Sequence, residues 1–361
     1  MPEACFAGLL RPPLWEPHNK ARDNFVTFKC PGQPTAGHCG HMLAIVAPGQ
    51  GAQTPGFLAP WLAEPVLADR FHWLSAVADI DLVHFGTDAD ADAIRDTSIA
   101  QPLLVAAGLV AALAIDPSPE GIFARAGVVA GHSVGELTAA AGTGVITAES
   151  AMVLVRERGK AMAEASAATP TSMTAVVGGD RDEVLAALRT HGLTAANNNG
   201  SGQIAAAGTV EQLAALSADP PRRTRLVPLS VAGAFHTHHM EPAVAHLARL
   251  TRAVPTNDPR SRLLTNTDGS VVAEGRVFLD RIVSQVANPV RWDLCMATME
   301  AMGVTGLLEL PPSGTLTGIA KRNLRGVELF SLNTPDQLDD ARGFVDNHAE
   351  ATAAPSTPDI A

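Results

Sequence analysis

The stretch Val128-Val129-Ala130-Gly131-His132-Ser133-Val134-Gly135-Glu136-Leu137-Thr138 joins an apolar, β-branched run to an Ala-rich run through a G-x-S-x-G pentapeptide. That order predicts a buried strand, a sharp turn and a helix N-terminus, with the serine carried on the turn as in a nucleophile elbow. Glycines at 131 and 135 allow strand and helix to approach with no side chain between them. Ser133 is therefore the candidate nucleophile. A serine hydroxyl attacks at neutral pH only when a neighbouring base takes its proton, so the chain must supply a histidine and donors for an oxyanion from elsewhere.

On either side of the elbow, strand-like and helix-like segments alternate. Met42 to Ala47 reads as a buried strand ending in the loop Pro48-Gly49-Gln50-Gly51-Ala52-Gln53, and strand ends are where α/β proteins place their sites. Residues 58 to 80 and Thr97 to Ile115 read as helices, Asp88 to Asp96 as a solvated acidic segment, and Thr147 as the cap of a helix running to Ala167. From Met173 the order becomes β-α-β-β-α-β, with strands at 173–177, 194–198, 203–207 and 224–229 and helices at 181–189 and 209–218. This is the ferredoxin-like unit, expected as a small subdomain over 170–231 inserted into a larger α/β subdomain of 42–169 and 232–334. Strands at 262–266 and 306–310 and helices at 277–286, 292–302 and 315–325 complete the large part. Residues 1–41, with scattered Pro, Gly and charge, are expected to be a disordered extension, and 335–361 a C-terminal helix with a disordered tail.

Composition narrows the function classes. The chain has 361 residues, 46% of them hydrophobic, enough for a sizeable core. A formal net charge of −11 argues against a nucleic-acid partner, whose phosphates require clustered Lys and Arg. No stretch reaches the roughly 18 uninterrupted apolar residues of a membrane span, and no basic-then-apolar signal layout opens the chain, so a cytoplasmic protein is expected. Cys30, His38, Cys39 and His41 match no standard zinc module, and a reduced leader is the simpler reading. Of the twelve histidines, the group His236, His238 and His239 follows a strand-like segment in a Gly-containing loop. Three metal ligands are one reading; one catalytic base with two surface neighbours is the more economical, so no metal is expected.

Taken together, Gly49-Gln50-Gly51, Gly131-His132-Ser133-Val134-Gly135, Arg158-Gly159, Gly233-Ala234-Phe235-His236, and Gln285 with Asn288-Pro289-Val290-Arg291-Trp292 resemble the malonyl-CoA:acyl carrier protein transacylases. The resemblance covers about 42–334 in unbroken order. It implies an α/β-hydrolase-like large subdomain with a short parallel sheet and the ferredoxin-like small subdomain. It also implies that Ser133 attacks a malonyl thioester with His236 as base, in a dyad whose histidine is oriented by a backbone carbonyl at Gln285. Backbone N–H groups of Gln50 and Val134 would form the oxyanion hole. Arg158, which from spacing alone reads equally as a solvated helical arginine, matches the residue that pairs with the malonyl carboxylate. Phe235 matches the malonyl-selective pattern and would crowd an α-methyl group; Val134 stands where methylmalonyl-selective relatives tend to carry Gln. Asn197 and Asn199, followed by Gln203, match a segment near the cleft, and on their own read equally as turn residues.

The implied partners are malonyl-CoA and an acyl carrier protein; no cofactor is implied, and a monomer is the expectation. Both partners are acidic, so a local basic rim is required, either Lys321, Arg322 and Arg325 or Arg222, Arg223 and Arg225. Two other readings compete. A serine esterase would normally carry a His-Gly-Gly-Gly-like oxyanion segment and an acidic third triad member, and no such segment is present. A non-catalytic docking subunit would have no use for the complete set of catalytic residues.

Overall fold

The computed structural model describes residues 40–231 and 233–349. The expectations for residues 1–39, including those for Cys30, His38 and Cys39, and for the tail from 350 lie outside the described residues.

Two sheets form the frame. The larger has six strands in the order Glu328–Ser331, Gly306–Glu309, Leu43–Ala47, Val128–Gly131, Leu263–Leu264 and Val271–Val272. The first five run parallel and the last pairs antiparallel with its neighbour. Leu43–Ala47 and Val128–Gly131 lie at the centre and are buried along their whole length, as expected of strands covered on both faces. The sheet has more strands than the sequence marked, because Glu328–Ser331 and the two-residue Val271–Val272 hairpin strand are too short to stand out in the sequence.

The smaller sheet holds Thr224–Pro228, Thr171–Gly178, Gln203–Thr209 and Thr194–Asn198 in that order, which is the ferredoxin-like 4-1-3-2 arrangement. A fifth strand was not expected. Val290–Arg291 pairs in parallel with Asn197 and Asn198, tying the segment after Gln285 to the small sheet.

Helices follow the sequence pattern with several departures, among them the short helix Leu82–Thr87, which no sequence signal marked. Residues 58–80 form two helices, Ala59–Leu62 and Pro65–Ala78. Pro65 has no N–H to continue the first, and Glu64 before it is extended at φ −91°, ψ 111°. Glu241–Thr251, which the sequence reading left unassigned, buries Ala243, Leu247 and Thr251 at a spacing of four. Thr97–Ile115 does have the length and apolarity of a membrane span, contrary to the expectation that no segment reaches one. Its apolar character has a different cause: it is the central core helix, packed against Pro65–Ala78, Gly135–Gly142 and Ala148–Ala167, with 72% of its most apolar window buried. Thr147 caps Ala148–Ala167 by accepting a hydrogen bond from the Ser150 N–H.

The turn between Val128–Gly131 and Gly135–Gly142 is built by close backbone approach. A Cβ at Gly131 would overlap the Gly135 carbonyl group, and one at Gly135 would overlap the Ala47 carbonyl. Ser133 sits between them at φ 54°, a left-handed conformation that costs a serine energy and is held by the surrounding packing. Gly135→Ala is expected to destabilise the protein by about 3 kcal/mol, since the overlapped carbonyl belongs to a central strand. A lowered denaturant midpoint checks this; an unchanged midpoint contradicts the close approach.

Candidate active site

Residues far apart in sequence converge on Ser133. Its Oγ lies 2.8 Å from His236 Nε2. His236 Nδ1 lies 2.8 Å from the Gln285 backbone carbonyl, which can only accept, so Nδ1 carries the proton. In the neutral ring Nε2 is then a free acceptor, and the Ser133 hydroxyl donates to it. His236 also adopts a positive φ of 61°, and its backbone N–H donates to the Val286 carbonyl. Burial pushes the His236 imidazole down to about 3, the positive charge of Arg158 adds to this, and the Gln285 bond opposes it. The ring is therefore neutral, as a base must be. His238 and His239 do not join it: their rings stack on each other with centroids 4.1 Å apart.

Arg158 is not a surface residue. Its side chain is 1% exposed on the inward face of Ala148–Ala167. One terminal nitrogen donates to Gln101 Oε1 at 2.7 Å; the other donates to Gln285 Oε1 at 3.0 Å and lies 3.4 Å from Ser133 Oγ. Burial lowers its pKa to about 10 and the nearby Glu136 carboxyl raises it, so the guanidinium stays charged at neutral pH. Its contacts at the nucleophile are neutral oxygens, and its buried Nε has no partner among the described residues. A buried cation aimed at the nucleophile without a direct carboxylate partner favours an anionic group there.

Gln285 supplies more than the carbonyl expected of it. Its side-chain Nε2 faces three acceptors: Glu136 Oε2 at 2.6 Å, the Ser133 carbonyl at 3.0 Å and Asn266 Oδ1 at 3.1 Å. Asn266 Oδ1 in turn accepts from the Ser133 N–H at 2.7 Å, and its Nδ2 donates to the Gly131 carbonyl. Glu136 is fully buried; burial pushes its carboxyl up to about 8, against the opposing pulls of Asn266, Arg158 and Gln285.

Gln50, Val134, Phe235 and Asn197 line the cleft in front of Ser133. Among the described residues neither the Gln50 nor the Val134 backbone N–H has an acceptor, leaving both free for a ligand oxygen. Asn199 lies behind the cleft and accepts from His132 Nε2 at 3.1 Å, steadying the residue before the nucleophile. Gln101, Glu136 and Asn266 were missed by sequence reasoning. The signal for Gln101 was a polar residue inside an otherwise apolar helical run; Glu136, at a helix start, and Asn266 carried none.

The neighbours of this chain among known proteins agree with its geometry. The architecture and the constellation are those of an acyl transferase domain, and a sequence profile of that description matches residues 45–356. The malonyl CoA-acyl carrier protein transacylase of Mycobacterium bovis is 48% identical over 299 residues, covering 83% of this chain and 99% of that protein. The protein of the same description from Escherichia coli K12 is 32% identical over 303 residues, covering 82% and 97%. The crystal structure of MCAT from Mycobacterium tuberculosis superposes with a TM-score of 0.80 at 47% identity, covering 84% of this chain and all of that one. A holo complex described as a type II PKS acyl-carrier protein with its malonyl-transacylase matches with a TM-score of 0.77 at 29% identity, covering 84% and 99%. This chain belongs to the malonyl-CoA:acyl carrier protein transacylase family.

With His236 neutral down to about 3, its Nε2 stays an acceptor for the Ser133 hydroxyl well below the usual histidine range. Labelling of Ser133 by a serine-directed phosphonate is expected to proceed at pH 5.5 within about twofold of its rate at pH 7.5, because protonation would silence the base only below its lowered pKa. A rate that falls with a midpoint near 6.5 contradicts the buried, neutral imidazole.

Proposed function

We propose that this chain transfers the malonyl group from malonyl-CoA to the phosphopantetheine thiol of an acyl carrier protein, supplying extender units for fatty-acid or polyketide synthesis. The observation that carries the reading is the buried Arg158 guanidinium, 3.4 Å from Ser133 Oγ and beside the Ser133–His236 pair. A three-carbon diacid esterified to Ser133 would bring its free carboxylate to that guanidinium. Two parallel, charge-assisted hydrogen bonds would hold it, whereas an acetyl group would leave the charge unmatched.

In the first half-reaction the Ser133 hydroxyl gives its proton to His236 Nε2 and attacks the thioester carbonyl. The Gln50 and Val134 N–H groups hold the resulting oxyanion, each such donor being worth about 3 kcal/mol in a transition state. Collapse expels the CoA thiolate, which His236 protonates, and leaves a malonyl-serine ester. The carrier's thiol then repeats the steps in reverse with His236 again as base. Phe235, buried against Met162 and Met173, narrows the acyl site and disfavours an α-methyl group by about 1–3 kcal/mol. Asn197 shapes the side of the cleft that the pantetheine arm would follow, and Asn199 backs it by holding His132. Every residue in this scheme comes from one chain; a monomer and a cytoplasmic location remain the expectation from the sequence.

Intact mass after brief exposure to malonyl-CoA is expected to show a malonyl adduct on the unaltered protein and none on Ser133→Ala, with discharge on adding a holo carrier protein. Loss of the adduct to water at the same rate without a carrier would indicate an esterase instead.

For the carrier we favour the rim at Lys321 and Arg322. The helix Thr315–Asn323 that carries them is bonded to the small-sheet hairpin beside Asn199: Arg322 donates to Gln203 Oε1 at 2.7 Å and Ser201 to Asn323 Oδ1 at 2.8 Å. Reversing both charges to Glu is expected to raise the KM for the carrier by about tenfold with malonyl-serine formation unchanged. An unchanged carrier KM rules this rim out and turns attention to Arg222, Arg223 and Arg225.

A further inference from the structure

Glu136 directly follows the pentapeptide, in the first turn of Gly135–Gly142, where an acidic side chain ordinarily faces water and complements the helix dipole. Here it is fully buried and its two oxygens serve two different segments. Oε1 accepts from the Asn266 N–H and Oε2 from Gln285 Nε2, both at 2.6 Å. A carboxyl oxygen accepts whether or not the group carries a proton, whereas the Arg158 guanidinium only donates, so the Gln285 amide turns its NH2 toward Glu136 Oε2 and its oxygen toward Arg158, which donates to it at 3.0 Å. The opposite orientation would set an N–H donor against the guanidinium. Asn266 passes the same constraint to the nucleophile by accepting from the Ser133 N–H at 2.7 Å.

We infer that Glu136 is a positioning residue for acyl-group selectivity, fixing the Gln285 amide and through it the aim of Arg158 at the acyl group on Ser133. This rests on the reading of Arg158 as the carboxylate site. An amide at 136 that keeps its oxygen on the Asn266 N–H turns an NH2, which cannot accept, toward the Gln285 NH2, so Gln285 no longer keeps its oxygen on Arg158. The guanidinium then loses its fixed partner while the Ser133–His236 pair keeps the Gln285 backbone carbonyl. Selectivity between a carboxylated and a plain acyl group therefore depends on Glu136 more than the rate of acyl transfer does.

The test compares kcat/KM for acyl-enzyme formation from malonyl-CoA and from acetyl-CoA in the unaltered protein, Glu136→Gln, Gln285→Met, the double variant and Arg158→Ala. Glu136→Gln is expected to lower the malonyl-to-acetyl ratio by about tenfold, the scale of a lost hydrogen bond to a charged group, chiefly through the KM for malonyl-CoA. In the Gln285→Met background the same change should lower it no further. An unchanged ratio, an equal loss on both substrates, or an additional loss in the double variant overturns the positioning role. If Glu136→Gln yields no folded protein, Gln285→Met decides: retention of the original ratio overturns the inference and its collapse supports it. Arg158→Ala separates the two claims. Selectivity lost there but kept in Glu136→Gln refutes the positioning role alone, whereas selectivity kept in Arg158→Ala refutes the carboxylate site itself.

Discussion

Gln285 faces both halves of the site at once. Its backbone carbonyl accepts from His236 Nδ1 at 2.8 Å, and its side-chain carbonyl accepts from Arg158 at 3.0 Å. The base and the buried cation are thus held by one residue at the end of Gly275–Gln285, and neither can move independently of the other. Burial makes these bonds matter: a polar group removed from water must find its partners within the protein, and the low local dielectric strengthens each one it makes. Around Gln285 the network closes through Glu136 and Asn266 to the backbone of Ser133, so nucleophile, base and guanidinium share one rigid scaffold.

The frame that carries this network joins two sheets built on different rules. The parallel sheet brings the ends of Leu43–Ala47 and Val128–Gly131 side by side, which puts the Gln50 loop next to the nucleophile turn. The small sheet stands over them, and its link is the strand Val290–Arg291, only five residues beyond Gln285, paired with Asn197 and Asn198. The Gln285 contact that holds Arg158 and the cleft wall at Asn197 are therefore attached to the same stretch of chain. Nearby, buried Glu309 accepts from the N–H groups of Gly314, Leu316 and Thr317, anchoring the start of the helix that bears Lys321 and Arg322.

Much of this was legible in the residues. Periodicity marked Thr97–Ile115 and the strands of the small sheet because those segments are long or bounded by turn residues. Two-residue strands such as Val271–Val272 and Val290–Arg291 carry no period at all, since only their partners define them. Arg158 could be singled out only by resemblance: in a helix rich in charge, Arg156, Arg158 and Lys160 look alike until packing buries one of them. Glu136 had the opposite difficulty, since a favourable place at a helix start explains an acidic residue without any further role.

The sequence by itself determined the nucleophile turn, because only glycine at 131 and 135 permits the backbone contact that lifts Ser133 to a positive φ. It also determined the order of the longer strands and helices and the small unit's βαββαβ plan. What the tertiary structure alone decided is which polar groups meet. Ser133 and His236 are 103 residues apart, and Arg158 and Gln285 are 127 apart. Local patterns act over a few residues, whereas pairings at these distances arise when the two sheets pack and leave each buried donor facing the acceptors that remain.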